Sequence, residues 1–385
     1  METWEDSLGS EPVLSTYIMG VMSDRGSQVV RDNIGGIIVG LSGLLLLADL
    51  AGKLTGGGLT PARFGGFVWD GLVIGILIGL AGIGLSLTYS ILGFANFAHG
   101  DYISWGAFSG WAVAYLLAGI DRYAAGGLLL IGGGGGPAPG DVGISITNTP
   151  ASIVAGLIVA VGFTVGVSLL VDRLVYRPIR EAGGITLLIA SIGVAFALRY
   201  LIVFFFYNSR QGVTDIGRIP TYDLAGVVIT AHELTIVVVG LLLMLGVHLL
   251  LQRTKLGKAM RAMADNRDLA QVTGIPVEGV IRTTWILGGG LAGAAGYLVV
   301  LTQGTIAYNL GWLLLLLIFA AVIMGGIGSV YGAIVGGLVI GLASRLSLIW
   351  LTGDLSSFAE PVAFGLMIFV LLFRPEGIFG GVSTA

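Results

Sequence analysis

The chain has 385 residues, of which 55% are hydrophobic and only 11% charged, with a net charge of −3. Soluble domains carry about 25% charged residues, so this composition excludes an ordinary soluble globular protein, and outside one short stretch there is no basic patch suited to nucleic acid. The absence of cysteine excludes disulfides, thiolate metal sites and cysteine nucleophiles.

Several apolar runs reach the roughly 20 residues needed to cross a bilayer. The expected fold class is therefore all-α: a polytopic transmembrane helical bundle of about nine to eleven spans, some of them broken. The 65 glycines fit such a bundle, because small residues let helices approach closely in lipid.

Residues 1–33 read as an acidic N-terminal tail, with Glu2, Glu5, Asp6 and Glu11. They lack the basic start and apolar core of a cleaved signal peptide. Residues 34–66 read as an extra span, Ile34 to Leu50, and a Gly-rich connector. A second span runs from Phe67 toward Leu92, with Asp70 near its start. The stretch GFANFAHGDYISWGAF, 93–108, is too polar for a spanning centre, yet apolar sequence closes on it from both sides. A third span follows from Ile103 to Leu117. Residues 119–150 form a connector centred on GGGGGPAPGD, with Arg122 its only cation, which suits the outside.

The fourth span, Ala151 to Val171, ends in a cluster of Arg173, Arg177 and Arg180, which the charge bias of membrane loops places in the cytoplasm. The fifth, Ile185 to Phe206, contains Arg199, which is expected to snorkel to the outer interface. Residues 207–233 read as an outer loop. The sixth span, Leu234 to Leu251, enters a polar island at 252–283. This carries Arg253, Lys255, Lys258, Arg261, Arg267 and Arg282 against Asp265, Asp268 and Glu278. Within it Leu256, Met260 and Met263 recur at helical spacing, so a short helix would show one apolar stripe and one basic face. Gly274 is the expected helix stop, with Pro276 beyond it. The island is either a docking element for a soluble partner or a solvated connector that anchors topology. Four more spans follow: Trp285 to Leu301, Gly311 to Met324, Tyr331 to Trp350 and Pro361 to Phe373. With about ten spans both termini lie in the cytoplasm, on the same side as the Arg173–Arg180 cluster, the island and Arg374.

Two breaks interrupt the apolar pattern at membrane depth, one at Asn96, Phe97, His99, Gly100 and Asp101, the other at Gly325, Gly326, Gly328 and Ser329. Irregular backbone there is tolerated only where it is buried or lines a cavity, and paired Gly-interrupted segments point to a transport pathway. Asn96 and His99 can line the passage or pin the break through its freed backbone groups. The glycines of the second break suit close contact with a second subunit or within the chain. His232 and His248 have no ligand-like neighbours in sequence. No G-x-x-x-x-G-K-[ST] loop occurs, since Gly52-Lys53 is followed by Leu54 and Gly257-Lys258 by Ala259. No catalytic constellation and no bound cofactor are expected; the chain reads as a transport component and not an enzyme.

Three segments together carry a family resemblance. YSILGFANFAHGDYISWGAF (89–108) is similar to the Asn-Phe-Ala-His-Gly signature of the permeases of branched-chain amino acid ABC importers. VYRPIR with LLIASIGVAF (175–196) resembles their Tyr-Arg-Pro-Leu-Arg block. LGKAMRAMADNRDLAQVTGIPVEGVI (256–281) with FAAVIMGGIGSVYGAIVGGLVIG (319–341) resembles their coupling loop and following Gly-rich span. The resemblance covers about 67–380 and is nearer to the H-type permease. It implies a plasma-membrane (inner-membrane) subunit forming half of a translocation pathway with a second related permease. Two cytosolic ABC ATPases would use the ATP, and an extracellular or periplasmic binding protein would deliver the cargo. Coupling would fall to Leu256, Met260, Arg261, Met263, Asp268, Ala270 and Gly274. Leu269 stands where the coupling pattern has Ala, Asp101 where Glu is common, and Leu317 where Lys is frequent. A related permease for urea, amides or other amino acids is the alternative cargo reading, and a stand-alone ion-coupled transporter or channel the alternative class.

Overall fold

A computed structural model describes residues 41–120, 122–129, 136–137, 139–208, 210–213 and 219–380. The acidic tail 1–33 and the glycines 132–135 lie outside the described residues. The expected first span is described only from residue 41, where 41–55 are helical. The chain divides into two units, Met1–Arg63 and Phe64–Ala385.

The remaining expected spans are helices. These are α1 (Pro61–Leu92), α2 (His99–Gly119), α3 (Pro150–Val171), α4 (Gly184–Phe206) and α5 (Ala231–Arg253). Two short helices, α6 (Lys255–Asp265) and α7 (Arg267–Val272), lie within the island. Then come α8 (Val277–Gln303), α9 (Leu310–Gly325), α10 (Val330–Leu346) and α11 (Ala359–Phe373). Among the described residues, seven helical stretches are long and apolar enough to cross a membrane; α2 is more polar, and α9 has only 16 residues.

Among the described residues, sheet is confined to two small ribbons. β1 (Gln211–Gly212) pairs antiparallel with β4 (Thr305–Ile306). β2 (Thr221–Leu224) and β3 (Val227–Thr230) form a hairpin within the expected outer loop. Its turn residues Ala225 and Gly226 both have positive φ, 55° and 87°, the geometry that matches the twist of a two-residue hairpin. The hairpin delivers Thr230 to the start of α5, where it forms a capping box with Glu233.

α1 and α8 form the centre: 89% of the most apolar stretch of each is buried, against 6% for the helix that ends in α11. Their burial depends on glycine, because apolar side chains gain little from leaving lipid for protein and association rests on close backbone packing. Gly71, Gly75 and Gly79 recur every four residues on α1 and meet α10 along one face, so that a Cβ on Gly75 would lie 2.8 Å from Leu338 Cα. Gly337 and Gly341 return the contact from α10 in antiparallel order. A second seam joins α2, α3 and α8: a Cβ on Gly110 would lie 2.7 Å from the Gly156 carbonyl, and one on Gly293 2.5 Å from Thr164 Oγ1.

Gly75→Leu is expected to force α1 and α10 apart and lower the thermal unfolding midpoint of the purified protein by several degrees. Gly193→Ala, on an open face of α4 with nothing within 4 Å, should leave it unchanged or slightly raised. Equal midpoints for the two variants would contradict the close α1–α10 seam.

Candidate functional site

α1 stops at Leu92, and Gly93 turns the chain with φ 71°. By His99 the chain has run back alongside its own helix: His99 Nε2 lies 2.9 Å from the carbonyl of Ala81. Ala81 is about 16 Å up the axis from Leu92 at the rise of an α-helix. The segment 93–98 is therefore an irregular stretch folded back into the bundle, and α2 begins inside it. Side chains satisfy part of the freed backbone. Asn96 Oδ1 accepts from the Ala98 amide and from the Tyr176 hydroxyl, each at 3.1 Å. The Phe97 amide donates to Ser191 Oγ at 3.0 Å. One step further along, the amide of Gly311, at the start of α9, donates to Ser104 Oγ at 3.0 Å. Gly100 sits so close to this turn that a Cβ there would lie 2.7 Å from the Gly311 carbonyl. Phe97 meets Phe319 of α9, with ring centroids 5.1 Å apart. Asn96 and His99 are fully buried.

Asp101, the third residue of α2, is completely buried and accepts two hydrogen bonds from Arg199 of α4, Nε to Oδ1 and Nη2 to Oδ2, both at 3.0 Å. The guanidinium also lies 4.6 Å from the ring centre of Trp312 and 5.4 Å from that of Phe196. Arg199 thus does not snorkel to an interface as expected. A fork-to-fork pair holds it inside the protein, because α4 runs parallel to α2 and sets it beside the acid.

The second break is closed within the chain. Gly326 and Gly328 have φ of 105° and 87°, and Ser329 caps α10 by accepting from the Gly332 amide at 2.9 Å. The last carbonyls of α9, on Met324 and Gly325, accept from the amides of Ile378 and Phe379 at 2.8 and 2.9 Å. Segment 376–380 therefore takes the place of the missing next turn. A Cβ on Gly325 or Gly326 would strike residues of this chain, Gly332 for the first and 376–380 for the second.

The island departs from the single helix that its spacing predicts. Asn266 ends α6 and caps α7, its Oδ1 accepting from the Leu269 amide at 2.9 Å. The Leu256–Met260–Met263 stripe turns inward: Met260 and Met263 are buried in this chain's own core, and Leu256 is half-buried. Gly257 packs against the last carbonyls of α5, and Arg261 Nη1 donates to the carbonyl of Leu251 at 2.5 Å, a cation placed where a helix C-terminus favours one. Ala270 anchors α7 from below, and Gly274, with φ 88°, ends it. The exposed apolar groups are on α7: Leu269 is 61% exposed and Val272 85%, flanked by exposed Arg267 and Asp268. Beside the island, Arg180 bridges Asp172 at 2.8 Å and Glu278 at 2.7 Å, tying the α3–α4 connector to the start of α8. The sequence offers no local signal for this bridge, since Arg180 and Glu278 are 98 residues apart.

His232 is a core residue, with Nε2 accepting from the Ile146 amide and Nδ1 facing the Leu301 carbonyl, both at 3.2 Å. His248 bonds the Tyr331 hydroxyl at 2.8 Å. Among the described residues no group of three or more His, Asp or Glu is arranged to hold a metal. A cavity of about 880 Å³ opens between α1, α2, α5, α8, α9, α10 and the start of α11. Ile103 and Leu317 line it, whereas Asn96, His99 and Asp101 do not.

Comparison with known proteins places these features in context. Residues 67–371 match the family described as "Branched-chain amino acid transport system / permease component". The high-affinity branched-chain amino acid transport system permease protein BraD of Pseudomonas aeruginosa is 32% identical over 317 residues, 81% of this chain and 94% of BraD. LivH of Escherichia coli, of the same description, is 30% identical over 324 residues, with the same coverage. A probable branched-chain amino acid transport permease protein LivH of Methanocaldococcus jannaschii is 29% identical over 348 residues, 87% of this chain and 95% of its own length.

Removing one partner of a buried ion pair costs roughly 3–5 kcal/mol, whereas replacing both by apolar groups is often tolerated. Asp101→Asn and Arg199→Gln should each lower the unfolding midpoint sharply. Asp101→Asn combined with Arg199→Gln should lose less than the two single losses combined. Additive losses in this cycle would contradict a direct pair.

Proposed function

Because the chain belongs to the permease family of branched-chain amino acid transport systems, we propose that it is the membrane-spanning subunit of an ATP-driven importer of leucine, isoleucine and valine. In this reading it supplies half of the translocation pathway, pairs with a related permease, and takes its cargo from an external binding protein. Two ATPase subunits on the cytoplasmic side hydrolyse the ATP, as this chain has no phosphate-cradling loop of its own. Both termini lie in the cytoplasm, with the Arg173–Arg180 cluster and the island, in keeping with the charge bias of membrane loops.

The observation that carries this reading is α7. It is a short helix held from beneath by Ala270, capped by Asn266 and stopped by Gly274, and it presents Leu269 and Val272 outward. A rigid mount with an exposed apolar tip suits transmission of a push from a soluble motor. The burial of Met260 and Met263 supports a reading in which the α6 stripe holds that mount and α7 docks. The state of Asp101 also supports an ATP-driven importer over an ion-coupled carrier: a carrier's intramembrane acid must be free to bind its ion, and Arg199 already occupies this one.

Co-reconstituted with its ATPase, sister permease and binding protein, Leu269→Asp with Val272→Asp should fold normally and lose leucine uptake about tenfold or more, as for a central interface contact. Met260→Asp should reduce the yield of folded protein instead. Wild-type uptake by the α7 double variant would contradict docking through this helix.

A further inference from the structure

Charged side chains inside this protein generally have protein partners. Arg199 holds Asp101, and Arg180 holds Asp172 and Glu278. The 880 Å³ cavity is different. Along α1 it is lined at helical spacing by Asp70, Ile74, Leu77, Ile78 and Ala81. At the Asp70 end it gathers Asp70, Glu233, Arg345 and Glu360; toward Ala81 and Ile103 it is apolar. Glu233 is fixed in place, its Oε2 accepting from Trp69 Nε1 at 3.2 Å and from the Thr230 amide at 2.8 Å. Arg345 is half-buried, and Asp70 and Glu360 stand at the exposed rim. Among the described residues Arg345 forms no ion pair, and its buried Nε has no hydrogen-bond partner. Asp70 and Glu360 likewise make no side-chain hydrogen bond or ion pair there. The buried, unsatisfied Nε–H of Arg345 costs energy unless something binds it.

The chemistry of the lining specifies what that is. Guanidinium is the side chain best shaped to take a carboxylate through two hydrogen bonds. Three carboxylates against one cation leave the mouth net negative, which favours an ammonium group. An apolar floor favours an aliphatic chain. The volume falls within the roughly 300–1,000 Å³ of small-molecule sites. We propose that this cavity is a cargo site in the permease itself that grips both charged ends of a free aliphatic α-amino acid, Arg345 taking the carboxylate, Asp70 with Glu360 the ammonium, and Leu77, Ile78 and Leu317 the side chain. The assignment rests on the importer reading above and adds recognition within the membrane subunit.

The test uses the full-length chain in lipid nanodiscs and calorimetric binding of three probes: L-leucine, L-leucinamide without the carboxylate, and 4-methylpentanoate without the ammonium. Loss of one charge-assisted contact weakens binding about tenfold. Wild type should bind leucine at millimolar concentrations and each truncated probe about tenfold more weakly. Arg345→Gln should weaken leucine about tenfold and leave leucinamide unchanged. Asp70→Asn should weaken leucine and leucinamide and leave 4-methylpentanoate unchanged. Glu360→Gln, at an exposed position, provides a second acidic variant with the same expected pattern and no risk to folding. Leucine binding by the folded variants equal to wild type, or none by wild type, overturns the site. Uptake by the fully assembled importer separates the two readings: leucine import with variants equal to wild type removes the site and keeps the function, whereas a wild-type assembly that imports no branched-chain amino acid removes the function.

Discussion

A backbone amide or carbonyl that leaves a helix inside an apolar bundle must find another partner, and the organisation of this protein follows from how it meets that requirement. The stretch 93–98 abandons α1 and runs back beside it. Asn96, Ser191 and the Ala81 carbonyl then hold it through bonds of 2.9 to 3.1 Å. Tyr176 fastens Asn96 in turn and stacks on Trp285 of α8, with ring centroids 5.1 Å apart and planes nearly parallel. The break is thus built into the centre of the fold. The second break meets the same requirement with the chain's own 376–380 segment, which supplies amides to the end of α9.

Close packing makes these arrangements possible. The glycine faces of α1 and α10, and of α2, α3 and α8, bring backbones together without large side chains between them. They leave little room for unpaired charge, and the protein pairs its deepest charges accordingly. Around the cavity the charges lie nearer the surface: Asp70 and Glu360 are exposed, and Arg345 is half-buried with its Nε unpartnered.

Much of the architecture was legible from sequence because apolar runs of spanning length state it directly. The expected spans from Phe67 onward reappear as α1 to α5 and α8 to α11, with ends shifted by a few residues. The largest shift is at α8, which begins at Val277 and not Trp285 because the polar end of the island continues the helix, and α2 begins at His99 and not Ile103 because polar residues such as Asp101 are buried with partners. The breaks at Asn96 and Gly325 were also visible, as polarity and glycine where a span should continue. Their partners were not: Asn96 and Tyr176 are 80 residues apart, and Asp101 and Arg199 98. Reading Arg199 alone therefore suggested snorkelling. The island shows a different limit. Periodicity identified the stripe of Leu256, Met260 and Met263 but cannot say what covers it, and the answer is the chain itself. Asn266 before Arg267-Asp268-Leu269 was the available cue that the helix divides, since Asn is a preferred cap.

The central claim is that the irregular segment 93–100 is folded back into the bundle and held there by Asn96, Ser191 and the Ala81 carbonyl. Hydrogen–deuterium exchange on the full-length chain in lipid nanodiscs tests it most directly. Peptides spanning 93–100 should exchange as slowly as those from the middle of α8, although they contain no continuous helix. Exchange as fast as that of the exposed island residues 266–274 would show an open, solvated loop and contradict the account.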